Sequence, residues 1–254
     1  MTKINVLGVG VSAVNIPSAV EIIDSWVKNR LRNYVCVTSV HGIVESQHHD
    51  DIKKIHNAAG LVTPDGMPLV WFMKSAGQSQ VDRVYGPDLM LAVMKMAAER
   101  QYKHFLYGAT EDTLERLRTR LETKIAGLRI VGTHAPPFRP LSPAEDAEVI
   151  QKINASGADI VWVGLSTPKQ ERWMASHIEH LLAPVALGVG AAFDFHAGLK
   201  SQAPKIVQRS GFEWLFRLAT EPRRLWKRYL TIVPYFVVHA ICQKVGLKSY
   251  LPNR

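Results

Sequence analysis

Short apolar runs rich in Val and Ile alternate with longer stretches of helical periodicity along the first 199 residues. Strands joined by crossover helices produce this pattern, and strands that are apolar throughout belong to a sheet covered on both faces. The sequence therefore predicts an α/β fold, a parallel sheet flanked by helices. The predicted strands span residues 4–9, 34–38, 61–63, 104–107, 129–133, 160–164 and 184–189, and the predicted helices span residues 18–30, 42–59, 87–100, 110–124, 143–156 and 168–180.

The chain changes character near residue 200, where the alternation stops and a segment rich in Trp, Phe, Leu and Arg begins. Residues 200–254 hold 11 of the 31 Lys and Arg residues but only two of the 22 acidic residues, so they carry the whole net charge of +9. This predicts an α/β core of residues 1–199 and a basic, aromatic-rich helical appendage of residues 200–254. The charge of the appendage indicates an anionic partner: a phospholipid surface, a phosphorylated ligand or a nucleic acid.

The appendage contains one apolar stretch, residues 229–241. A helix needs roughly 20 apolar residues to span a bilayer, so this stretch is too short, and it also contains Pro234 and His239. Aromatic and apolar residues interleaved with Arg and Lys are typical of a helix that lies in the membrane interface. The alternative is a pair of C-terminal helices that pack on the core and keep a basic face in solvent.

Neither a disulfide nor a secretory signal is expected. Cys36 and Cys242 lie far apart, and Cys36 falls in an apolar run, which favours free thiols and a reducing compartment. Residues 1–14 lack the basic and long apolar regions of a signal peptide, and we expect them to begin the first strand instead.

A glycine motif near the N-terminus resembles the dinucleotide-binding fingerprint G-x-G-x-x-G/A. It comprises Gly8, Gly10 and Ala13. The fingerprint requires a helix that begins inside the glycine turn, whereas Asn15 predicts a helix that begins several residues later. The next predicted strand also lacks the acidic residue that would bind the ribose. A nicotinamide-dependent oxidoreductase is therefore an alternative with little support.

Asp65 lies in the segment TPDGMP, directly after a predicted strand and before an apolar helical stretch. Ligands of α/β proteins bind at the carboxyl ends of strands, where a carboxylate can act as a general base. Asp before Gly is also common at turns and helix starts. On spacing alone, a structural cap for the next helix is the favoured interpretation of Asp65.

Arg83 and Asp88 flank a Gly-Pro turn that is expected to open another helix. The planar guanidinium of Arg83 can hold a pyrophosphate with two parallel hydrogen bonds. The structural alternative pairs Arg83 with Asp82 or a nearby Glu, and gives Asp88 the role of stabilising the helix N-terminus.

The densest polar cluster begins at Gly164, again after an apolar strand. A helix start at Pro168 would present free backbone N–H groups to a phosphate, and Lys169 and Gln170 would add side-chain donors. Glu171 can serve catalysis or simply stabilise the first turn of its own helix.

A further strand end is rich in small residues that would let a ligand approach closely. It includes Gly190, with Asp194 four residues later as a candidate contact.

Tests for metal and nucleophile motifs are mostly negative. His48 and His49 are adjacent, and the sequence contains no H-E-x-x-H, C-x-x-C, G-x-S-x-G, P-loop or D-x-D pattern. We therefore expect no cofactor and no metal, with basic side chains and helix ends stabilising a leaving diphosphate.

Five runs, in this order, resemble the WecG/TagA/CpsF family of bacterial glycosyltransferases, also called glycosyltransferase family 26. The resemblance spans nearly the whole chain. The runs are LVTPDGMPLVW, VYGPDLM, VGLSTPKQERWM, GVGAAFDFHAG, and GFEWLFRL followed by EPRRLWKRYL.

The resemblance implies a Rossmann-like core, a UDP-sugar donor, a polyprenyl-diphosphate-linked acceptor and metal-independent inversion at the anomeric carbon. It implies a peripheral enzyme at the cytoplasmic face of the inner membrane that contacts anionic lipid, binds no nucleic acid and forms homo-oligomers in solution. A basic, non-enzymatic module that binds lipid or nucleic acid is the remaining alternative class.

The resemblance also assigns roles to individual residues. Asp65 corresponds to the proposed general base, which raises its functional interpretation above the cap, and Gln170 to a proposed active-site glutamine. Thr38 and Arg83 correspond to pocket residues. The tail arginines that would close over the site and neutralise the diphosphate are Arg217, Arg223, Arg224 and Arg228.

One segment departs from the family. Many relatives carry Asn near the Thr that ends the second predicted strand, whereas this chain has Ser39, Val40 and His41. We therefore assign Ser39 and His41 as substrate contacts in place of that Asn. The Val-His-Gly variant resembles the branch that adds glucose in xanthan-type exopolysaccharide assembly, which predicts a glucosyl donor. The alternative is an N-acetylmannosaminyl or N-acetylmannosaminuronyl transferase of the same family.

Overall fold

The computed structural model describes residues 1–252, within which the chain forms eight strands and twelve helices. The strands are β1 (Lys3–Val6), β2 (Val9–Ser12), β3 (Asn33–Thr38), β4 (Leu61–Pro64), β5 (Lys103–Gly108), β6 (Arg129–His134), β7 (Ile160–Gly164) and β8 (Val185–Gly188). The helices of the first 200 residues are α1 (Ile16–Lys28), α2 (Val40–His48), α3 (Asp50–Ala58), α4 (Met67–Ser75), α5 (Gly86–Arg100), α6 (Glu111–Lys124), α7 (Pro143–Ala155), α8 (Lys169–His177) and α9 (Ala192–His196). The C-terminal helices are α10 (Lys205–Arg209), α11 (Glu213–Thr220) and α12 (Pro222–Lys244). Residues 253 and 254, the end of the predicted appendage, lie outside the described residues.

Six strands form one parallel sheet in the order β4-β3-β8-β7-β5-β6, which confirms the predicted fold class. Strands β3 and β4 form one side of the sheet, and β5 to β8 form the other. The two sides meet where β3 pairs with β8, with Val35 opposite Leu187. The carboxyl ends of β3, β4, β7 and β8 therefore meet at one edge, where a parallel sheet binds ligands.

Two hydrophobic clusters cover the two faces of this sheet. Side chains alternate between them along each strand: Cys36 and Val161 belong to one cluster, and Val35 and Trp162 belong to the other. The first cluster includes residues of α2, α4, α7, α8 and α12, and the second includes residues of α1, α5, α6 and α9. Coverage on both faces explains why the central strands β7 and β8 contain no polar residues.

The prediction of a single strand over residues 4–9 is wrong. Leu7 and Gly8 both have positive φ, 49° and 83°, and join β1 to β2 in an antiparallel hairpin that pairs Val6 with Val9. A two-residue turn with two left-handed residues matches the twist of a hairpin, and glycine at the second position relieves its strain. The glycine motif therefore lies in a hairpin, and α1 begins later, behind a capping box at Asn15, as the sequence indicates.

The single helix predicted over residues 42–59 is also wrong, because the chain breaks at His49. This residue has extended backbone angles, φ −133° and ψ 101°, and separates α2 from α3. Asp50 and Asp51 occupy the first turn of α3, where negative charge favours a new helix.

The apolar stretch of residues 229–241 is the middle of a longer helix. α12 has 23 residues, starts with Pro222 at its first position and continues through Pro234. Proline suits the first turn because no helical N–H is lost there. Within residues 1–252, no helix is both long and apolar enough to cross a bilayer.

The far end of α12 is tied to the N-terminal hairpin. The Gln243 side chain accepts a hydrogen bond from the Leu7 N–H at 2.9 Å and donates one to the Asn5 carbonyl at 2.8 Å. Ile232 and Phe236 lie on the same face of the helix as Gln243 and belong to the first hydrophobic cluster. These contacts hold α12 alongside the edge of the sheet where the strand ends meet.

Both cysteines are free, as expected from the sequence. Cys36 is buried in β3, and Cys242 lies in α12.

Candidate active site

A cleft of about 650 Å³ opens at the carboxyl ends of β3, β4, β7 and β8, between the sheet and the C-terminal helices. Most residues predicted from sequence line it, although they come from segments up to 189 positions apart in the chain, from Ser39 to Arg228. The predicted residues that line the cleft are Ser39, His41, Asp65, Arg83, Gly164, Lys169, Gln170, Gly190, Asp194, Arg217, Arg224 and Arg228. Thr38, Pro168, Glu171 and Arg223 are not part of the lining.

Asp65 is placed directly after β4 by its backbone N–H, which donates to the Thr38 carbonyl at 2.9 Å. The preference for a helix cap is wrong, because Gly66 is the N-cap of α4 and no side chain caps that helix. The Asp65 side chain is instead 25% exposed, and its Oδ1 lies 3.6 Å from Nη2 of Arg83. Its carboxylate is therefore available to the cleft.

Burial raises the pKa of Asp65, and the positive charges of Arg83 and Arg217 offset this only in part. The backbone N–H of Gly86, at the start of α5, also stabilises the carboxylate. Within residues 1–252, Oδ1 has no hydrogen-bond partner. A carboxylate with a raised pKa is a stronger base than an ordinary Asp.

Arg83 is already paired with a residue that sequence analysis missed. Its Nη2 lies 2.5 Å from Oε2 of Glu213, its Nε donates to the Asp65 carbonyl, and its guanidinium stacks 4.1 Å from the centroid of the Tyr85 ring. Asp82, the partner considered from sequence, accepts the backbone N–H of Arg83 at 2.8 Å.

The pairing with Glu213 joins the core to the C-terminal helices across 130 positions of sequence. Burial raises the pKa of Glu213, and Arg83 counteracts this. Glu213 is one of only two acids after residue 200, which is the one sequence signal that could have found it.

Ser39 and His41 lie at the start of α2. The Ser39 hydroxyl accepts the backbone N–H of His41 at 3.3 Å, and Nε2 of His41 lies 3.2 Å from Glu45. Burial and the positive charge of Arg228 lower the pKa of His41 to about 4, against the opposing effect of Glu45. The imidazole is therefore neutral at physiological pH, where it can both donate and accept hydrogen bonds.

Thr38 does not present its side chain to the cleft. The hydroxyl is buried and donates to the Cys36 carbonyl at 3.2 Å, so the contribution of Thr38 in this structure is the backbone carbonyl that holds Asp65.

The polar cluster after β7 lies at the start of α8. Lys169 and Gln170 line the cleft, and Pro168 is the N-cap. Glu171 turns inward instead: its residue is 1% exposed, and its Oε1 accepts hydrogen bonds from Thr167 Oγ1 at 2.9 Å and from Gln170 Nε2 at 3.2 Å.

Two glycines at the predicted ligand-binding strand ends, Gly164 and Gly190, are constrained by the fold itself. A Cβ on Gly164 would meet the Phe193 ring at 2.6 Å, and Gly190 has φ +50°. Asp194 does line the cleft, but Lys200 binds its carboxylate at 2.8 Å.

Three arginines of the C-terminal helices form one wall of the cleft: Arg217 from α11 and Arg224 and Arg228 from α12. Arg224 pairs with Glu221 at 2.5 Å, whereas no acidic side chain among residues 1–252 makes an ion pair with Arg217 or Arg228. Burial and the like charge of Arg224 lower the pKa of Arg228. An anion between these groups would relieve their repulsion. Arg223 is exposed outside the cleft, contrary to its prediction as a contact.

The cleft also has apolar lining residues that were not predicted from the sequence. A proline-rich loop after β6 contributes residues 136–138, including Phe138, which is 91% exposed. Ile232, Val233 and Phe236 of α12 face the same space. The cleft therefore combines charged and apolar lining residues. The part of the chain that the structure describes contains no group of three or more His, Cys, Asp or Glu residues placed to hold a metal ion.

The parallel α/β sheet therefore brings a carboxylate at a strand end and three arginines of the C-terminal helices into one cleft. The sequence model of the glycosyl transferase WecG/TagA/CpsF family matches residues 4–250, so the chain belongs to this family and is a glycosyltransferase. The resemblance read from the five sequence runs is thereby confirmed.

Two relatives show what the chain is similar to. The N-acetylglucosaminyldiphosphoundecaprenol N-acetyl-beta-D-mannosaminyltransferase of Staphylococcus aureus (strain NCTC 8325 / PS 47) is 27% identical over 97% of this chain and 95% of the relative. The protein of the same name from Bacillus spizizenii (strain ATCC 23059 / NRRL B-14472 / W23) is 29% identical over 75% of this chain and 72% of the relative.

Proposed function

We propose that the enzyme transfers a sugar from a UDP-sugar to a saccharide carried on undecaprenyl diphosphate. The observation that carries this proposal is the Asp65 carboxylate, with its raised pKa, in a cleft that Arg217 and Arg228 also line. The names of the relatives support N-acetylmannosamine as the transferred sugar and an N-acetylglucosaminyl acceptor. They favour this over the glucosyl donor expected from the segment around His41.

The chemistry is a single displacement with inversion. Asp65 takes the proton of the acceptor hydroxyl, the hydroxyl oxygen forms a bond to C1 of the donor sugar, and the bond from C1 to the UDP oxygen breaks. The leaving UDP gains negative charge as this happens. Arg217, Arg228 and the N-terminus of α8 provide positive charge around the cleft for that diphosphate. The mechanism predicts activity without a divalent metal.

We further propose that the C-terminal helices bring the enzyme to an anionic membrane, at the cytoplasmic face, where the lipid-linked acceptor resides. This rests on surface chemistry: large apolar side chains are exposed on the same segment that carries the excess positive charge. The exposed apolar residues after residue 200 are Ile206, Phe212, Leu215, Trp226, Leu230, Val237, Val238, Ile241, Val245, Leu247 and Leu251. Apolar and basic groups together favour an anionic lipid interface. Self-association stays a prediction, which sedimentation with and without detergent would test.

The proposed function is tested by transfer of radiolabelled sugar from a panel of UDP-sugars to short-chain polyprenyl-diphosphate-linked N-acetylglucosamine or glucose, in EDTA. We expect transfer from UDP-N-acetylmannosamine to the N-acetylglucosaminyl acceptor. Transfer only from UDP-glucose, and only to the glucosyl acceptor, would show that the donor sugar is glucose and would leave the enzyme class unchanged. A wild-type enzyme that is folded, binds UDP and transfers no sugar to either acceptor would contradict the proposal.

A further inference from the structure

The side chains of Gln170 and Glu171 are adjacent, buried and directly hydrogen bonded in the first turn of α8. Nε2 of Gln170 lies 3.2 Å from Oε1 of Glu171, which also accepts the Thr167 hydroxyl at 2.9 Å. Both residues are almost fully buried, with 3% and 1% of their surfaces exposed. The backbone is fixed as well, because the Gln170 N–H donates to the Ser166 carbonyl.

The Glu171 carboxylate decides which end of the Gln170 amide faces the cleft. A carboxylate accepts hydrogen bonds and does not donate them, so the amide must direct its NH₂ group toward Glu171. The carbonyl oxygen then faces the other way. It lies 3.5 Å from the position that a Cβ on Gly190 would occupy, and Gly190 lines the cleft.

That carbonyl oxygen is buried and has no hydrogen-bond partner within residues 1–252. A buried acceptor without a partner costs about 1–3 kcal/mol, so such an atom is rarely left unpaired in a native protein. At the edge of a ligand cleft, a bound ligand is the natural source of the missing donor.

We infer that Glu171 is a positioning residue that makes Gln170 a hydrogen-bond acceptor for a sugar hydroxyl or acetamido N–H of the substrate. Phosphate oxygens at neutral pH are acceptors, so Gln170 contacts the sugar and the arginines contact the diphosphate. This inference rests on the proposed function. It replaces two sequence-based assignments: Glu171 as a substrate contact, and the Gln170 side chain as a donor to phosphate.

An exchange of the two side chains tests the inference. Glu171→Gln can present its own NH₂ to residue 170, which permits the amide of Gln170 to turn and direct its NH₂ into the cleft. Gln170→Glu instead places two carboxylates against each other. We expect each single variant to lower kcat/KM by about 10- to 100-fold, the loss of one buried hydrogen bond with its partner left unpaired.

The double exchange, Gln170→Glu with Glu171→Gln, restores a donor at position 171 facing an acceptor at position 170, which again presents an oxygen to the cleft. We expect kcat/KM to recover to within about tenfold of the wild type. A double variant as impaired as the two single losses combined would overturn the inference. Glu148→Gln on the exposed face of α7 is the matched control and should leave kcat/KM unchanged.

Substrate analogues provide a second measurement that does not depend on the Glu171 variants folding. Gln170→Met keeps the side-chain length and removes the acceptor. The analogues are substrate sugars that each lack one hydroxyl or the acetamido group. One of them should be a poorer substrate than the complete sugar for the wild type, but not for Gln170→Met, because it lacks the group that donates to Gln170. Equal discrimination by both enzymes, for every analogue, would contradict the inference.

These experiments separate the inference from the proposed function. Sugar transfer by the wild type tests the proposed function by itself. The ratio of kcat/KM between variant and wild type tests the positioning role of Glu171. Should the wild type transfer no sugar, calorimetry on the wild type and the same variants measures the ratio of their affinities for UDP and for UDP-sugar instead. A weaker affinity for UDP-sugar in the single variants, with unchanged affinity for UDP, is then the expected result; parallel loss for both ligands would overturn the inference.

Discussion

The pKa of Asp65 reflects a balance between burial and the positive charges of two arginines. Burial raises this pKa, while Arg83 and Arg217 lower it. Because a general base acts in its deprotonated form, kcat/KM should fall as the pH decreases through the pKa of Asp65 in the folded enzyme. That pKa lies above 3.8, so the acidic limb should lie above the pH at which an ordinary Asp titrates.

Replacing Arg217 with Gln should move this acidic limb to higher pH. The substitution removes a positive charge that lowers the pKa of Asp65, so the carboxylate takes up its proton earlier as the pH falls. The position of the limb, measured as log kcat/KM against pH, is independent of how much the variant weakens binding. Arg223→Gln, outside the cleft, is the control and should leave the limb in place. An unmoved limb in Arg217→Gln would show that another group titrates.

Gly164 shows that a small residue at a strand end can serve packing as much as ligand access. A Cβ at this position would lie 2.6 Å from the Phe193 ring, which is itself buried. We expect Gly164→Ala to destabilise the fold by about 1–3 kcal/mol through overpacking. Chemical denaturation measures this loss. Gly77→Ala is less suitable as a control because Gly77 has φ +87°, whereas Gly66→Ala meets only the Pro68 ring at 3.6 Å and should cost less. A Gly164→Ala variant as stable as the wild type would show that Phe193 moves without penalty.

At the scale of elements, the hairpin β1–β2 holds the end of α12 through Gln243. Gln243→Ala leaves the buried Leu7 N–H and the Asn5 carbonyl without their hydrogen-bond partner. We expect a loss of about 2 kcal/mol of stability, concentrated at the end of α12. Amide hydrogen exchange should accelerate in residues 236–246 more than in the central sheet. The neighbouring exposed residue provides the control, Lys244→Gln, which should exchange like the wild type. Uniform acceleration over the whole chain would contradict a local role.

The parallel sheet could be predicted because its signal is local. Strands β7 and β8 are short runs without polar residues because they are buried on both faces, whereas the edge strand β6 has an exposed Arg129. The hairpin was missed because its turn depends on the left-handed backbone of Leu7, a residue with no strong preference for it. The break at His49 was missed because the sequence between Gly42 and Gly60 contains no Gly or Pro that would mark it.

The site was predictable where its residues follow strands, and less so elsewhere. Asp65 comes directly after β4, and Gln170 lies shortly after the end of β7. The edge of the parallel sheet therefore brings the two residues together. The pairing of Arg83 with Glu213 joins segments 130 positions apart, and no local pattern encodes it. The inward turn of Glu171 depends on the packing of α8 against the sheet, which periodicity does not resolve.

At the scale of the whole molecule, α12 serves two surfaces at once. Arg224 and Arg228 face the cleft, while Trp226 and Leu230 lie exposed. Deleting the C-terminal helices would also remove Phe236 from the core, so truncation confuses unfolding with loss of membrane binding. Outward-facing point variants separate the two effects.

The paired substitution Arg223→Gln with Lys227→Gln should weaken binding to anionic vesicles. Each basic residue near an anionic surface contributes about 1 kcal/mol, so the pair predicts a decrease of roughly 30-fold in partitioning. Flotation with vesicles containing phosphatidylglycerol measures it. The matched control replaces two exposed lysines of the core, Lys28 and Lys95, with Gln. Equal loss in both pairs would indicate a response to net charge alone, and no loss in either would place membrane contact elsewhere.

The catalytic role of Asp65 is tested most directly by the transfer rate of Asp65→Asn, an isosteric change that removes the base. Asp88→Asn, an exposed carboxylate in the first turn of α5, is the matched control. We predict that Asp65→Asn lowers kcat by about 10²- to 10⁴-fold while UDP binding persists, and that Asp88→Asn transfers sugar at nearly the wild-type rate. An Asp65→Asn enzyme with undiminished kcat would contradict the account, because the deprotonation of the acceptor would then belong to another group.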